Sequence, residues 1–561
     1  MKVPTAVFLL TLLLYCFALC PGPYWLDSSE FSVAAYTLGV AHPPGHPLAL
    51  LIGKLCTLLP LGSVALRVGF ASALAGALAA VQVADLGALI CRRVAARTET
   101  TLFDQLAGAA ASLLFALSYG AAFSAVRPEV YALSTLLCLS GVHAVARLQE
   151  TQDRRHLYFA ALWFSLALCN HHLLALSVLA GAAVLALWEM RKHRLFVASA
   201  RVMAIFLVGL SLYAYLPLRA AHHPVINWGV PTTWSRFFWV VSAQAFQKSL
   251  HHAALDIGGV TAALLGELTP IGLLLAVAGL YLLLRAPHTR ALGVLLMLCA
   301  IGDAATVALI GFDPENPDAY GYLEAAVALL AVLTCALPVA LQPILQRRHQ
   351  RLFYVATSVV VVATWTLSAL SLPRWWRARE RSTENALAEF LDRAPLHAIV
   401  VSSYFQSIFA LSYLQSVAGL RPDLTLLHRH FLTYPGYGDE FKLVHSELTG
   451  LIGERDVRPD PLLQHTTVIE YDLDLPRPLL ERSQVVAMKG DLNEPETRKF
   501  AAWQTLLALH RMCRLHQEDA FATVLVEAKK LLGDSPDLSD LIAHCQQPDV
   551  DGWRPGVASA P

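Results

Sequence analysis

Residues 3–19 read VPTAVFLLTLLLYCFAL, and after Cys20 residues 21–31 read PGPYWLDSSEF. The first stretch carries no charge and approaches the roughly 20 apolar residues that a membrane helix needs. The second is broken by Pro21 and Pro23 and brings Asp27 and Glu30 to a point just beyond the apolar run. Lys2 ahead of that run also suits a signal peptide. Phe17-Ala18-Leu19-Cys20, however, lacks the small residue wanted just before a cleavage or lipidation point, so the run reads as an uncleaved first span.

The pattern recurs along the chain. Ten more apolar stretches lie at about 64–90, 103–119, 130–145, 157–169, 173–188, 203–218, 264–284, 291–311, 322–341 and 352–372. Of the 561 residues 56% are hydrophobic and 15% charged, and the mean hydropathy is +0.51. That balance excludes a disordered chain, a nucleic-acid binder and an ordinary soluble enzyme. The charges are unevenly spread: residues 1–372 hold 22 Lys/Arg and 16 Asp/Glu, whereas residues 373–561 hold 20 and 26. The expected architecture is an α-helical multi-span membrane domain over 1–372, with about eleven helices, followed by a soluble domain over 373–561. In the latter, 398–403 and 421–427 read as strands around a helix at 406–418, and 497–515 and 519–532 read as a helical pair. The tail from Gln546 reads as loose. This is an α/β start with helices appended.

Basic residues gather in every second loop: Arg92, Arg93 and Arg97; Arg147, Arg154 and Arg155; Arg191, Lys192 and Arg194; Arg285 and Arg290; Arg347, Arg348 and Arg351. Lys and Arg accumulate on the cytoplasmic side, so the N-terminus is expected inside and residues 373–561 on the outer face. There Cys513 and Cys545 are free to pair, while the other eight cysteines lie in or beside apolar stretches. No CxxC, P-loop, GxSxG or HExxH is present.

Candidate chemistry therefore sits in the outer loops. Asp27 reads either as part of a helix start, with Ser28 or Ser29 capping and Glu30 at the positive end, or as a general base at the membrane boundary. In Gly39-Val40-Ala41-His42-Pro43-Pro44-Gly45-His46-Pro47 the prolines exclude a helical metal pair, and the stiff turn aims His42 and His46 either at a ligand or at its own backbone. A divalent metal held with Asp27 or Glu30 is the lesser reading, and none is assigned. Arg127 offers a fork for phosphate oxygens, or else lies in the interface with Glu129 as partner. Asn170, His171 and His172 occupy another outer boundary. The long loop at 219–260 holds Arg219, Trp228 and further aromatics, and its His222-His223 and His251-His252 pairs read as surface. Asp303 is the deepest acid of the spans and reads as a structural hydrogen-bonding group.

Taken together, 26–31 and the HPPG-containing block 38–48, followed by Arg67, 124–131 around Glu129, 168–172, Leu216-Pro217 and Asn227-Trp228-Gly229, are very similar to the transmembrane-protein-260-like family. Its animal member is a protein O-mannosyltransferase. The resemblance covers roughly 20–250, and 251–372 match mainly in hydropathy. Ser28-Ser29 stands where relatives often have Ser-Gly, and His171-His172 where the animal protein has Gln-His. The family in turn resembles the GT-C glycosyltransferases, multi-span enzymes that take sugar from a polyprenyl-phosphate carrier and use an acidic residue of the first outer loop. This implies Asp27 as the catalytic residue with Glu30 second, and donor or substrate contacts from His42, His46, Arg127, Glu129, Asn170, His171, Trp228 and Arg219.

The expected activity is hexose transfer, mannose first, from a polyprenyl phosphate to a hydroxyl of a protein, glycan or lipid, with no cofactor and no nucleic acid. The chemistry fits a lipid-anchored donor: phosphate leaves readily, so a base for the acceptor and cations for the departing charge suffice. Arg127, with Arg219 or Arg67, is the expected source of that charge, and inversion at the anomeric carbon the expected outcome. A lipid-linked-sugar transporter and a non-catalytic membrane scaffold are the competing readings. The Ala/Leu/Arg-rich usage points to a bacterial inner membrane, with the endoplasmic reticulum as the counterpart in a eukaryote.

Overall fold

The computed structural model describes residues 2–193, 198–250, 255–446, 448, 468–471, 479, 481, 483–484, 492, 494–533 and 535–545. Arg194, His251, His252 and the tail from Gln546 lie outside them. Packing divides the chain into two units. One comprises Met1–Cys20, His42–Leu216 and Val241–Arg379, and the other Pro21–Ala41, Pro217–Val240 and Glu380–Pro561. The units do not follow a linear split at 372/373, because the upstream segments Pro21–Ala41 and Pro217–Val240 pack with the C-terminal domain.

The first unit is a multi-span helical membrane domain. Among the described residues, seven helices are long and apolar enough to cross a membrane, or eight when Leu102–Ala116 and Tyr119–Ala125, bent by 74°, count as one. Val3–Ala18 is a shorter apolar helix. Local chemistry sets the helix starts. Ser63 Oγ accepts the Leu66 N–H, and Thr101 and Asp104 form a reciprocal capping box. Small residues set the crossings: a Cβ on Gly108 would overlap the Ala84 carbonyl, and one on Gly87 would come 2.8 Å from the Gly108 Cα. Helices Val64–Val94 and Leu102–Ala116 therefore touch backbone to backbone.

Two long helical runs are hairpins. In Arg155–Lys192, His171 leaves helical geometry at φ −149°, ψ 92°. Leu157 and Met190 belong to one apolar cluster with Leu148 and Ala198, although a straight helix would separate them by about 50 Å. The run therefore doubles back at His171, giving the two spans expected on either side of 169–172. Likewise Cys335 Sγ bonds the Ala107 carbonyl and Trp365 Nε1 the Ala110 carbonyl, one helical turn apart. A straight helix would hold Cys335 and Trp365 about 45 Å apart, so the chain reverses within Ala336–Ala369. The run Ile257–Arg285 is also broken, at Thr269 before Pro270, so the span expected from residue 264 is interrupted there.

The second unit is built on a four-stranded parallel sheet of order β2-β1-β3-β4: β1 Ile399–Ser402, β2 Thr425–His428, β3 Val468–Tyr471 and β4 Ser483–Gln484. Ile399, Val401, Leu427, Leu432 and Phe441 form its core. Helix Phe405–Ser416 joins β1 to β2, and a helical crossover of this kind lets neighbouring strands run parallel. Helices Pro495–Arg514, Glu518–Leu532 and Pro536–Cys545 follow, and Cys513 and Cys545 form a disulfide.

Candidate active site

The acidic loop belongs to the second unit. Asp27 is the residue before helix Ser28–Thr37, and its carbonyl accepts the Phe31 N–H at 2.9 Å. The carboxylates of Asp27 and Glu30 come within 4.8 Å of one another, Glu30 fully buried and Asp27 half-buried. Asp27, rather than Ser28 or Ser29, takes the N-cap position, and its side chain makes no cap bond. Ser29 Oγ instead donates to the Tyr24 carbonyl at 2.6 Å, folding the chain tightly around Asp27. Two neighbouring carboxylates at a helix N-terminus present negative charge to the positive end of the dipole. They offer a proton acceptor, or oxygen ligands for a cation.

The same unit contains the NWG block. Val40 pairs with Asn227 as an isolated parallel bridge, its N–H bonding the Ile226 carbonyl at 2.8 Å and its carbonyl the Trp228 N–H at 3.1 Å. A Cβ on Gly39 would come 2.6 Å from the Ile226 carbonyl oxygen, which explains the glycine. Arg219 Nε and Nη2 donate to the Leu38 and Thr37 carbonyls, closing the end of helix Ser28–Thr37. Trp228 is buried, its ring 4.4 Å from Phe431 and 5.5 Å from Tyr434. Arg219 and Trp228 thus hold the segments of this unit together, rather than standing with an open fork and an open ring face.

In the membrane unit, the polar residues picked out by the sequence fall into two clusters. His46 is fully buried before helix Pro47–Thr57. Its Nδ1–H donates to the Asn170 carbonyl at 2.5 Å, and its Nε2 lies 3.3 Å from His42 Nε2. The first bond places the proton of His46 on Nδ1, so Nε2 accepts from His42. Burial, reinforced by the His42 and His171 imidazoles, pushes the His46 pKa well below the ordinary range and keeps it neutral. The His171 ring lies 5.5 Å from His46, 6.0 Å from Tyr131 and 6.3 Å from Tyr322. Asn170 Nδ2 ties this hairpin tip to the Val130 carbonyl at 2.8 Å. The HPPGHP turn and the NHH tip, far apart in sequence, are one cluster.

The second cluster centres on Arg127, which is fully buried. Its Nη1 donates to Glu129 at 2.5 Å and its Nη2 to Asp318, while its guanidinium stacks over Phe123 at 4.2 Å. Ser72 Oγ holds the Glu129 carbonyl at 3.0 Å. Neither interfacial exposure nor a vacant fork describes Arg127. Arg67 likewise donates to the carbonyls of Thr57, Leu61 and Gly62. Asp303 accepts the Ala326 N–H at 2.9 Å, a structural hydrogen bond as its sequence position suggested. Separately, a cleft of about 200 Å³ is lined by Ser118, Glu267, Ser368, Ser371 and Arg374, the last with its guanidinium 4.7 Å from the Tyr119 ring.

Tyr131, Tyr322, Asp318 and Arg374 were not among the site residues expected from the sequence. Asp318 stands in the acid-rich loop before a span and was visible as a carboxylate, but its partner lies 191 positions away. The two tyrosines begin apolar runs and carry no local signal.

Residues 27–195 match the family model described as the Protein O-mannosyl-transferase TMEM260 N-terminal domain, which confirms the resemblance over that segment. The chain is 29% identical over 442 residues to Protein O-mannosyl-transferase TMEM260 of Mus musculus, covering 73% of this chain and 60% of that protein. It thus spans about three fifths of the length of this curated relative. Among solved structures, ArnT from Cupriavidus metallidurans bound to undecaprenyl phosphate has a TM-score of 0.47 at 12% identity, over 79% of this chain and 88% of that one. The apo state of the same protein scores 0.48 at 13% identity, over 79% and 94%.

Proposed function

We propose that this multi-pass membrane protein is a glycosyltransferase that moves a hexose, mannose in the first instance, from a polyprenyl phosphate to a hydroxyl on the outer face of its membrane. The observation that carries the reading is the Asp27–Glu30 carboxylate pair directly after the first apolar helix, at the start of the segment matching the O-mannosyl-transferase model.

In this reaction the acceptor O–H gives its proton to the Asp27 carboxylate as its oxygen bonds the anomeric carbon. The bond from that carbon to the phosphate oxygen breaks, and the electron pair leaves with polyprenyl phosphate. One carboxylate and a good leaving group suffice, so the anomeric configuration inverts and no metal is required. Glu30, buried beside Asp27, is the second carboxylate of the pair. His46, His42 and His171 form a polar cluster suited to sugar hydroxyls. For the carrier phosphate, Arg374 in its cleft is better suited than Arg127, whose charge two carboxylates already meet. A protein Ser or Thr is the acceptor favoured by the name of the mouse relative. The alternating basic loops and the Cys513–Cys545 disulfide support an outer location for the second unit. A bacterial inner membrane is the proposed setting.

The test is transfer from polyprenyl-phosphate [14C]mannose by the purified full chain in nanodiscs, wild type against Asp27→Asn. Label should pass to a Thr-rich peptide with the wild type. Near-normal transfer by Asp27→Asn would remove this carboxylate from the mechanism.

A further inference from the structure

Three consecutive residues ahead of Asp27 are each bonded to a different point of the C-terminal domain. Tyr24 donates its hydroxyl to Glu494 Oε1 at 3.1 Å, Trp25 donates Nε1–H to Thr497 Oγ1 at 2.9 Å, and the Leu26 N–H donates to Gln406 Oε1 at 3.0 Å. All six residues are buried. The Trp25 ring, with no exposed surface, packs 4.9 Å from Phe500.

These are three separate anchors on two helices. Gln406 is in the first turn of Phe405–Ser416, the helix that follows β1, and this helix packs along Ser28–Thr37. Glu494 caps Pro495–Arg514 by accepting the Thr497 N–H at 2.5 Å, so one carboxylate both starts that helix and holds Tyr24. Leu26 has φ +62°, a left-handed conformation that a leucine adopts only when its surroundings hold it. Its N–H is the one bonded to Gln406.

We infer that the C-terminal domain holds the catalytic loop, with Gln406, Thr497 and Glu494 as positioning residues that set the place of the Asp27 carboxylate. The inference rests on the proposed role of Asp27. Asp27 is pinned on one side by these anchors and on the other by helix Ser28–Thr37, whose first turn its own carbonyl begins. A base must stand within hydrogen-bond reach of the hydroxyl it deprotonates, and a displacement of about 1 Å can cost roughly 100-fold in rate. Segments that form the soluble domain and the acidic loop, about 380 and 470 positions apart along the chain, therefore make one catalytic element.

The experiment uses the full chain in nanodiscs with polyprenyl-phosphate [14C]mannose, and follows amide hydrogen exchange over residues 24–31 in parallel. Thr497→Val keeps shape and removes the acceptor, and Gln406→Met keeps length and removes the acceptor. Thr497→Ser and Gln406→Glu each retain an acceptor oxygen. The first two should lower kcat by about 10- to 100-fold with donor and acceptor KM within about twofold, and should speed exchange over 24–31. The second two should restore both. Wild-type exchange and wild-type kcat in Thr497→Val and Gln406→Met would overturn the inference. So would a raised acceptor KM at unchanged kcat, which would make this surface an acceptor site instead. If these variants are fully active while Asp27→Asn is inert, the positioning role alone fails. If Asp27→Asn is active, the underlying reading fails, and exchange still reports whether the anchors hold the loop.

Discussion

Arg127→Met tests whether the buried guanidinium is structural. Arg127 is fully buried, as is the Glu129 side chain, and Asp318 is only 7% exposed. Removing the cation leaves two carboxylates in a site with almost no water. Breaking a buried ion pair from one side costs about 3–5 kcal/mol, chiefly because the remaining charge keeps its desolvation penalty. For a unit of several hundred residues, that corresponds to a fall in thermal midpoint of roughly 4–7 °C. Tryptophan-detected unfolding of the purified protein reads this directly. The compensating variant Arg127→Met/Glu129→Gln/Asp318→Asn removes all three charges and should recover most of the loss. Arg127→Lys should fall between, because a point charge cannot face two carboxylates as a planar fork does. A midpoint within 1 °C of wild type in Arg127→Met, joined to weakened donor binding, would refute this and return Arg127 to the phosphate.

Three further outcomes are expected. Asp27→Asn should lower transfer by about 10²- to 10⁴-fold with an unchanged thermal midpoint, while Glu30→Gln should do less; the reverse order at equal expression means that Glu30 is the base. Burial, reinforced by His430, pushes the His428 pKa down to about 3, so below the unfolded value of about 6.5 only the unfolded chain gains that proton. The stability tied to His428 is therefore present above pH 6.5 and lost below it, by about 2 kcal/mol between pH 7 and 5, and His428→Phe should shrink the acid-induced fall in midpoint. A cysteine placed at Asn316 or Arg381 should react with a membrane-impermeant maleimide from outside and one at Arg348 should not; the opposite pattern places the acidic loop in the cytoplasm.

The elements of this protein were legible because their causes are local. Apolar runs of membrane length, the alternation of basic loops and the strand at 399–402 each depend on residues within a few positions of one another. The hairpin tip at Asn170-His171-His172 was readable because a polar triplet interrupts an apolar run, even though the backbone there stays helical on both sides of a single residue. Arg127 was readable only as a candidate. A guanidinium beside Pro128 and Glu129 has the same local appearance whether it faces phosphate, water or a second carboxylate.

By itself, then, the sequence determined that the chain is a multi-span helical membrane protein with an α/β domain after it, and that Asp27, Glu30 and the HPPGHP turn carry the family resemblance. Hydrophobic periodicity, charge alternation and turn chemistry act over a few residues and leave their mark in order along the chain. Only the tertiary structure decided partnership. It joined His46 to the Asn170 tip, Arg127 to Asp318 and Trp25 to Thr497, and it placed the acidic loop with the C-terminal domain. Those pairings are set by which surfaces fill one another's space and which buried polar groups satisfy one another. Over such separations a donor and its acceptor carry no mark of each other until the chain has folded.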